Sequence, residues 1–520
     1  MKNQIHILLG AVLLMGCVSA CHKESDVLLS YAFEDNLSFK EAEESFAGKY
    51  LVFWKAMNTN YLLWDYEKAC GLDWDEHKKT FLPKFEALDE DSTEVSDATL
   101  EALMTEMVAP LHDGHLYVEF ENHTTKERVG VAPGGIRYKA RADYNEANGF
   151  VPNLRVYEQE GLLTEYKEEN SKLDAQMQHV INTDGIGYRW AVSRIEELKA
   201  KTSPTEVEVK ELEGLQGFVK EMQELVAAKF SLKRTAAVYN EIALKYTYLN
   251  IPALVTVNQA FSDVGINVKY ALFNDGIAYF YLSNFNLTAY LNKKYNEEYF
   301  PNADKHTQDI VDCVKSVWQT WFDTIQKQHK DGSLKGVIID VRSNTGGMTF
   351  DSAFLIGCLL PKGGIQYGWS RFKRGVGRYD YSPMMPMLSF TMDAEHEIID
   401  DVPVVVLTNA RSVSMSEMTS LTSKQMANAR QIGRRSFGGL CALTGNENFA
   451  DNYSGHIGVE DKTPVYCYVP SVAIFNMDKQ VLDGTGVEPD IEVGLDTEAF
   501  KVTGRDTQLD RALEYIRTGK

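Results

Sequence analysis

Three near-continuous apolar runs in the second half of the chain constrain its fold more than any other feature. They are Ile277–Leu282, Gly336–Val341 and Val402–Leu407. Runs of this kind are typical of strands buried on both faces, as in a sheet covered by helices. Helical periodicity lies between or after them, at about residues 306–329, 350–360 and 417–429. The pattern predicts an α/β layer architecture whose core is a parallel-rich sheet with helices.

The chain before these runs divides into two regions. Residues 38–125 show helical spacing of apolar and aromatic side chains and end in the loop Asp113-Gly114-His115, followed by the alternating segment Leu116–Phe120. This predicts an N-terminal helical subdomain. Residues 126–250 form a charge-rich middle region, with helical stretches expected near 158–178 and 217–228. Gly214–Phe218 superficially resembles the carboxylate loop of a PDZ module, although a loop or helix junction is the simpler interpretation. The α/β domain is expected over residues 251–510.

The first residues predict export. Lys2 precedes an apolar run from Ile5 to Met15, which is too short to span a bilayer and reads as a signal peptide. Val18-Ser19-Ala20-Cys21 resembles a bacterial lipoprotein signal, so we expect residues 1–20 to be removed and Cys21 to be lipidated. Cys17 is a poorer candidate, and an ordinary signal peptide is the alternative. Residues 21–37 would be a polar tether on the bacterial cell envelope, at its periplasmic face or on the outer-membrane surface.

Composition excludes several kinds of partner and site. The 520 residues are 44% hydrophobic and 24% charged, which is sufficient for a large core. A formal net charge of −21 argues against nucleic acid as a partner, because phosphate binding requires a basic face. Five cysteines outside the signal region are scattered without a CxxC pair, so neither a zinc site nor a disulfide framework is expected, although one disulfide stays open. They are Cys70, Cys313, Cys358, Cys441 and Cys467.

Two loops that follow the apolar runs have residues suited to catalysis. The first contains Gly346 and Gly347, whose lack of side chains lets main-chain N–H groups approach a ligand closely, although a tight turn is equally compatible. The second contains Ser414, which with Glu417 also fits a Ser-x-x-Glu capping box at a helix start. A serine there lies at the positive end of the helix dipole, so a cap and a nucleophile are compatible interpretations.

A serine nucleophile needs a base, and two histidines lie near a recognisable turn. These are His112 and His115, just before the alternating segment. A loop histidine is most often a surface or hydrogen-bonding residue. His115 is therefore a candidate base only in combination with other motifs.

Four motifs occur in one order in the second half of the chain. They are Asp340–Gly347, Ser414–Glu417, Ile432-Gly433 with Phe437–Gly439, and Gly486–Asp490. This ordered set resembles the catalytic core of the C-terminal-processing peptidase and tricorn-core family of serine peptidases. The resemblance covers about residues 275–495, and Asp113-Gly114-His115 extends it into the N-terminal region. It implies a ClpP/crotonase-like core and a serine-type endopeptidase acting on peptides or proteins.

The sequence departs from the Ser/Lys style of that family. Processing peptidases have a lysine in a Phe-Gly-Lys-Gly turn, where this chain has Gly439, and Lys424 lies within the helix expected after Ser414. The tricorn-like style uses a histidine from an N-terminal segment, which His115 resembles, and an acidic residue before the Gly-Val-x-Pro-Asp turn, which Asp483 matches. Gly114 is a further departure from the family pattern, because tricorn has a serine beside its histidine.

The resemblance implies acyl transfer through a covalent intermediate. Ser414 would attack, His115 would act as general base, and Asp483 would orient the histidine. An oxyanion hole would be formed by main-chain N–H groups; the candidates are Gly346, Gly347 and Met415. Neither a metal nor an organic cofactor is implied, since HExxH and nucleotide-binding glycine motifs are missing. The alternatives are an esterase on the same triad, or a catalytically degenerate member that binds peptides or serves as an envelope scaffold. Oligomeric state and substrate sequence stay open.

Overall fold

The structure is a computed structural model that describes most of the chain after the N-terminal segment. The described residues are 39–90, 95–171, 186–228, 232–252, 254, 266–292, 296, 305–349, 351–375, 377–389, 397–442, 456–458, 460 and 462–520. The predicted signal peptide, Cys21 and the tether lie outside these ranges. Within them, none of the helices combines the length and the apolar character that crossing a membrane requires.

Helices and strands alternate along the described chain. The helices are α1 (Phe39–Glu44), α2 (Phe46–Asn60), α3 (Trp64–Ala69), α4 (Trp74–Glu90), α5 (Asp97–Val108), α6 (Pro133–Lys139), α7 (Tyr144–Ala147), α8 (Arg155–Gln159), α9 (Ile186–Lys199), α10 (Glu206–Ala227), α11 (Leu232–Lys245), α12 (Leu287–Leu291), α13 (Lys305–Asp331), α14 (Asp351–Ile356), α15 (Met415–Gln425), α16 (Thr497–Thr503) and α17 (Thr507–Thr518). The strands are β1 (Tyr117–Glu121), β2 (Arg128–Val131), β3 (Leu163–Ser171), β4 (Ile266–Phe273), β5 (Ile277–Leu282), β6 (Gly336–Asp340), β7 (Ile365–Phe372), β8 (Met385–Ser389), β9 (Val404–Thr408), β10 (Ala429–Gly433), β11 (His456–Ile457), β12 (Val465–Tyr468), β13 (Val472–Phe475) and β14 (Ile491–Glu492).

Two compact units are each assembled from three separate chain segments. Unit 1 comprises Met1–Phe150, Gly363–Phe390 and Thr408–Leu495. Unit 2 comprises Val151–Lys362, Thr391–Leu407 and Asp496–Lys520. Each unit therefore depends on pairing between residues far apart in sequence.

Unit 1 contains two antiparallel sheets beside helices α1–α7 and α15. The sheet orders are β11-β12-β1-β2 and β13-β7-β8. In β1, Val118 lies opposite Cys467 on one side and Val131 on the other. The predicted alternation at Leu116–Phe120 is thus confirmed as a strand, and its buried side chains join the aromatic core formed by α2, α4 and α5. Strands β10 and β14 of this unit run parallel, with Ile432 opposite Ile491.

Unit 2 contains the predicted apolar strands. Its strands follow the order β9-β6-β5-β4-β3. The pairs β5/β6 and β6/β9 are parallel, whereas β3/β4 and β4/β5 are antiparallel. Every residue of β5, β6 and β9 is buried, as expected for strands covered on both faces. Helix α13 packs on this sheet through Val314, Trp318, Trp321 and Ile325, at helical spacing. The prediction of an α/β fold is confirmed.

Two expectations for the middle region are wrong. The charged stretch near residues 158–178 is not one helix, because α8 ends at Gln159 and Leu163–Ser171 forms strand β3, paired with β4. Gly214–Phe218 is neither a loop or helix junction nor a PDZ-like loop, because it lies inside helix α10. Gly214 and Gly217 face Tyr248 and Tyr246, whose hydroxyls would lie 2.7 Å from an added Cβ. These glycines serve close packing within the helix bundle.

Helices α9, α10 and α11 form a bundle with its own apolar core. Side chains of α9 and α10, among them Ile195 and Phe218, pack against Tyr246 and Leu249 at the end of α11 and the turn that follows. The capping box of Thr205 and Glu208 starts α10. Within unit 2, the bundle therefore has a separate source of stability beside the sheet.

Candidate active site

Ser414 adopts a strained backbone conformation between a buried strand and a helix. It precedes α15 at φ 57° and ψ −115°. A positive φ is uncommon for a residue with a side chain, costs on the order of 1–3 kcal/mol, and persists only where the surroundings enforce it. The Ser-x-x-Glu pattern predicts the helix start correctly, because α15 begins at Met415, but it carries no indication of this strain.

Glu417 holds Ser414 in place. The main-chain N–H of Ser414 donates to Glu417 Oε2 at 3.1 Å and to the carbonyl oxygen of Gly439 at 3.0 Å. The fully buried carboxylate also accepts hydrogen bonds from Ser436 Oγ at 2.6 Å, Gly438 N at 2.7 Å and Gly439 N at 2.8 Å. Burial raises the pKa of Glu417 to about 7. Glu417 is therefore more than a helix cap, since it ties Ser414 to the Phe437–Gly439 turn.

The loop that carries His115 is fixed from both sides. Asp113 Oδ1 accepts hydrogen bonds from His115 N at 2.8 Å and Leu116 N at 3.1 Å. The Arg137 guanidinium donates to the carbonyl oxygens of Leu111, His112 and Asp113, the last two at 2.6 and 3.2 Å. These bonds explain why the loop keeps one shape between α5 and β1.

Gly114 brings this loop against the turn that binds Ser414. A Cβ on Gly114 would lie 2.4 Å from both the carbonyl oxygen of Gly438 and the Cα of Gly439. A serine at position 114 would therefore clash with main-chain atoms. Gly439, at the position of the lysine in processing peptidases, is instead covered by the histidine loop. The two departures from the family pattern, Gly114 and Gly439, touch each other.

Asp483 is fully buried beside the histidine loop. Its Oδ1 accepts hydrogen bonds from Gly114 N at 3.4 Å, Leu440 N at 3.2 Å and Cys441 N at 3.3 Å. Its Oδ2 accepts from Cys441 N and Cys441 Sγ, both at 3.2 Å. Burial raises the pKa of Asp483 to about 6. At neutral pH the carboxylate form, with five incoming hydrogen bonds, prevails.

Asp113, His115 and Asp483 form one cluster. One nitrogen or oxygen atom from each lies within 4.8 Å of the others. His115 is partly exposed, and burial of its ring lowers its pKa to about 4. Within the described part of the chain, His115 Nδ1 and Asp113 Oδ2 are buried and have no hydrogen-bond partner. The predicted pair His115 and Asp483 is thus brought together, and Asp113 joins it.

The same donor set is chemically suited to a divalent cation. However, Asp483 already accepts three main-chain N–H bonds and a thiol, and the Arg137 guanidinium lies against the Asp113 carbonyl. Hydrogen-bond donors therefore already occupy Asp483, and the positive charge of Arg137 acts on both carboxylates. The cluster fits a histidine that lies beside two carboxylates better than a cation site.

A second imidazole, His112, has the carboxylate partner that His115 lacks. Its Nδ1 lies 2.7 Å from Glu67 Oε2, and its main-chain N–H donates to Glu67 Oε1 at 2.7 Å. Glu67 is buried and also accepts from Tyr61 at 2.6 Å. Sequence reasoning missed Glu67, because it lies in α3, far from the Asp-Gly-His motif and without a local signal.

The Gly-Gly loop lies in unit 2, at the end of β6. Gly346 N donates to Asn344 Oδ1 at 2.8 Å, so this N–H is already used within the loop. Gly347 has φ 139°, and a Cβ there would lie 2.4 Å from the carbonyl oxygen of Phe285. Glycine is thus required at position 347 by a close main-chain approach. The predicted part of both residues in an oxyanion hole stays a prediction.

The segment Asp340-Val341-Arg342, where β6 ends, has a structural role. Arg342, fully buried, binds Asp340 through Nε at 2.9 Å and Asp506 through a terminal nitrogen at 2.9 Å. Tyr279 donates to Asp340 at 2.7 Å. This network joins the strand end to the start of α17 within unit 2.

Comparison with known proteins shows similarity to serine peptidases. The sequence pattern of peptidase family S41 matches residues 309–493. A candidate CtpA-like serine protease of Staphylococcus aureus is 25% identical over 213 residues, 37% of this chain and 40% of that protein. A candidate tricorn-like protease C-terminal subunit of Sulfurisphaera tokodaii is 28% identical over 221 residues, 42% of this chain and 22% of that protein. The matches thus span less than half the length of these relatives.

A solved structure extends the likeness over the whole fold. A candidate peptidase from Parabacteroides merdae has a TM-score of 0.50 and 16% identity, covering 92% of this chain and 98% of that chain. Identity this low shows the fold alone. Together with the match over residues 309–493, these findings confirm the resemblance to the serine peptidases of family S41 that was inferred from the ordered motifs.

Proposed function

We propose that this protein is a serine endopeptidase in which Ser414 is the nucleophile and His115 the general base. The observation that carries the proposal is the strained backbone of Ser414 at the start of a helix, held by Glu417 and Gly439. A nucleophile on a sharp strand-to-helix turn exposes its hydroxyl at the end of the sheet, and strain of this kind persists where function requires it.

The reaction is acyl transfer from a peptide bond to water. His115 takes the proton of Ser414 Oγ as this oxygen attacks the scissile carbonyl carbon, and then gives the proton to the leaving amine. Water, deprotonated by the same histidine, attacks the acyl-enzyme and releases the carboxylate product. The N–H of Met415, at the positive end of α15, is suited to stabilise the oxyanion.

The charges of the cluster suit this sequence of steps. With its pKa lowered to about 4, His115 is neutral at pH 7 and can accept a proton. The imidazolium formed in the transition state then lies beside the Asp483 carboxylate, which stabilises it. Asp483 is accordingly proposed as the acidic member.

A fluorophosphonate probe tests the nucleophile and the base together. The intact protein should be labelled at Ser414, identified by mass spectrometry of the labelled peptide. Ser414→Ala should abolish labelling, and His115→Gln should slow it at least about 100-fold. Ser420→Ala, on the same helix, is the matched control and should label normally. An intact protein that never labels would support the degenerate, peptide-binding alternative and overturn the proposal.

His112→Gln separates the two histidines. His112 is bound to Glu67 and should affect labelling far less than His115. If His112→Gln abolishes labelling and His115→Gln does not, the base is His112. Turnover of end-blocked peptides, compared with p-nitrophenyl esters, distinguishes an endopeptidase from an esterase. Ester turnover without peptide cleavage would exclude the peptidase.

We also propose export as a lipoprotein anchored through Cys21. The support is the Val18-Ser19-Ala20-Cys21 sequence after an apolar run. Expressed in a bacterial host with labelled fatty acid, the wild type should carry label and sediment with membranes. Cys21→Ser should lose the label, whereas Cys17→Ser should keep it. Unlabelled wild-type protein would overturn the anchor.

A further inference from the structure

Cys441 makes an unusual contact for a buried cysteine. It lies two residues after Gly439, is fully buried, and directs its thiol at Asp483 Oδ2 at 3.2 Å. Its main-chain N–H points at the same carboxylate, 3.3 Å from Oδ1 and 3.2 Å from Oδ2. Both hydrogen bonds to Oδ2 therefore come from this one residue.

The thiol is the one side-chain donor among the hydrogen bonds that Asp483 accepts from the described residues. The others come from main-chain N–H groups of Gly114, Leu440 and Cys441, which substitution leaves in place. Burial raises the pKa of the Cys441 thiol well above its usual range, so the sulfur keeps its proton and donates. The terminal torsion of a carboxylate is broad, so a side-chain donor to Oδ2 adds to the main-chain donors in fixing the orientation of Asp483.

We propose that Cys441 is a positioning residue for peptide hydrolysis, whose thiol holds the Asp483 carboxylate in the orientation that serves His115. The inference rests on the proposed function of Ser414 and His115. In metal sites, the loss of a partner that orients a ligand typically costs on the order of 10–100-fold in activity, and we expect an effect at the low end of this range for a partner that orients Asp483. Cys441 is far too buried to touch substrate, so it acts through Asp483.

Cys467 provides a matched control within the same core. It is also fully buried, belongs to the same cluster of apolar side chains, and is a free cysteine. It lies on β12, and no hydrogen bond joins its thiol to a carboxylate within the described residues. Truncation of either cysteine removes one sulfur from this core, but only Cys441 loses a bond to Asp483.

The experiment compares Cys441→Ala, Cys441→Ser and Cys467→Ala in the full chain. Cys441→Ala should lower kcat, and the rate of fluorophosphonate labelling, on the order of tenfold with KM unchanged. Cys441→Ser restores an O–H donor and should recover activity to within about threefold of wild type. Cys467→Ala should stay within about twofold. If Cys441→Ala does not fold, Cys441→Val fills the volume without a donor and replaces it.

Two outcomes overturn the inference. One is equal activity of the Cys441→Ala and Cys467→Ala variants, which would make the loss a packing effect. The other is failure of Cys441→Ser to exceed Cys441→Ala. Failure of the proposed function has a different signature, because Ser414→Ala and His115→Gln would then label like the wild type whatever the Cys441 variants do.

Discussion

Gly114 and Gly439 lie with their main chains in contact, since a Cβ on Gly114 would approach the Cα of Gly439 to 2.4 Å. A Cβ on Gly439 would meet the side chains of Phe437 and Val413 at 3.2 Å, and the Cα of Gly114 at 3.5 Å, which is an ordinary contact distance. Main-chain atoms cannot move aside as a side chain can. The loop that carries His115 and the Phe437–Gly439 turn that binds Ser414 are thus in close contact at one point.

Gly114→Ala should therefore be far more harmful than Gly439→Ala. We expect Gly114→Ala to slow fluorophosphonate labelling at least about tenfold and to cost about 1–3 kcal/mol in stability, as overpacking does. Gly439→Ala should be tolerated with a small change. Labelling rates and thermal unfolding of the two purified variants check this. Equal effects of both substitutions would contradict the close contact.

Glu417→Gln should disrupt the Phe437–Gly439 turn that binds Ser414. An amide has one oxygen, so its NH2 group would face one of the N–H donors of Ser414, Gly438 or Gly439. We expect labelling to fall about tenfold or more, with a loss of stability of about 1–3 kcal/mol. Glu488→Gln, at an exposed side chain, is the matched control. Normal labelling of Glu417→Gln would exclude this positioning effect.

Asp506→Ala should destabilise unit 2 more than Asp496→Ala. Both aspartates cap helices: Asp506 accepts from Leu509 N at 3.1 Å and Asp496 from Ala499 N at 2.9 Å. Only Asp506 also binds the buried Arg342, and breaking such a pair costs about 3–5 kcal/mol, against about 1 kcal/mol for a cap. Thermal unfolding of the two variants measures the difference. Similar losses of stability would mean that Asp340 alone is sufficient to compensate the charge of Arg342.

Asp351 predicts a pH-dependent contribution to the stability of unit 2. This fully buried carboxyl accepts from Thr288 N at 2.8 Å, and burial raises its pKa to about 7. A raised pKa means that protonation favours the folded state, so the contribution is full below about pH 4 and is lost as the pH rises through 7. The advantage in melting temperature of wild type over Asp351→Asn should shrink by a few degrees from pH 5 to pH 8. A difference in melting temperature that grows from pH 5 to pH 8 would contradict a raised pKa for Asp351.

The local sequence pattern was sufficient to predict the strands at the core of unit 2. Ile277–Leu282 is β5, and the runs at 336–341 and 402–407 are β6 and β9 to within two residues. Burial on both faces leaves a direct imprint on sequence, so these elements can be predicted. Strand β3 is different, because it stands last in the strand order and carries charges along its length. Charged edge strands resist misassociation, and the same charges made this segment resemble a helix.

The candidate site was predicted as a set of residues but not as an arrangement. Ordered motifs predict Ser414, His115 and Asp483, because chemistry restricts the residue types that can stand there. Glu67 and Cys441 carried no signal, since their contacts depend on chain segments that meet only after folding, and Asp113 was noted only as part of the Asp-Gly-His motif. The structure also commits the Gly346 N–H to Asn344, which no spacing argument could reveal.

The division of each unit among distant segments has a consequence for biosynthesis. Unit 1 needs strand β14 at Ile491–Glu492, and unit 2 needs helix α17, whose Leu509 and Leu513 are buried in it. A nascent chain therefore lacks a strand of unit 1 until residues 491–492 have left the ribosome, and a helix of unit 2 until residues 507–518 have followed. Until then the early segments of each unit are without these partners and are open to chaperones.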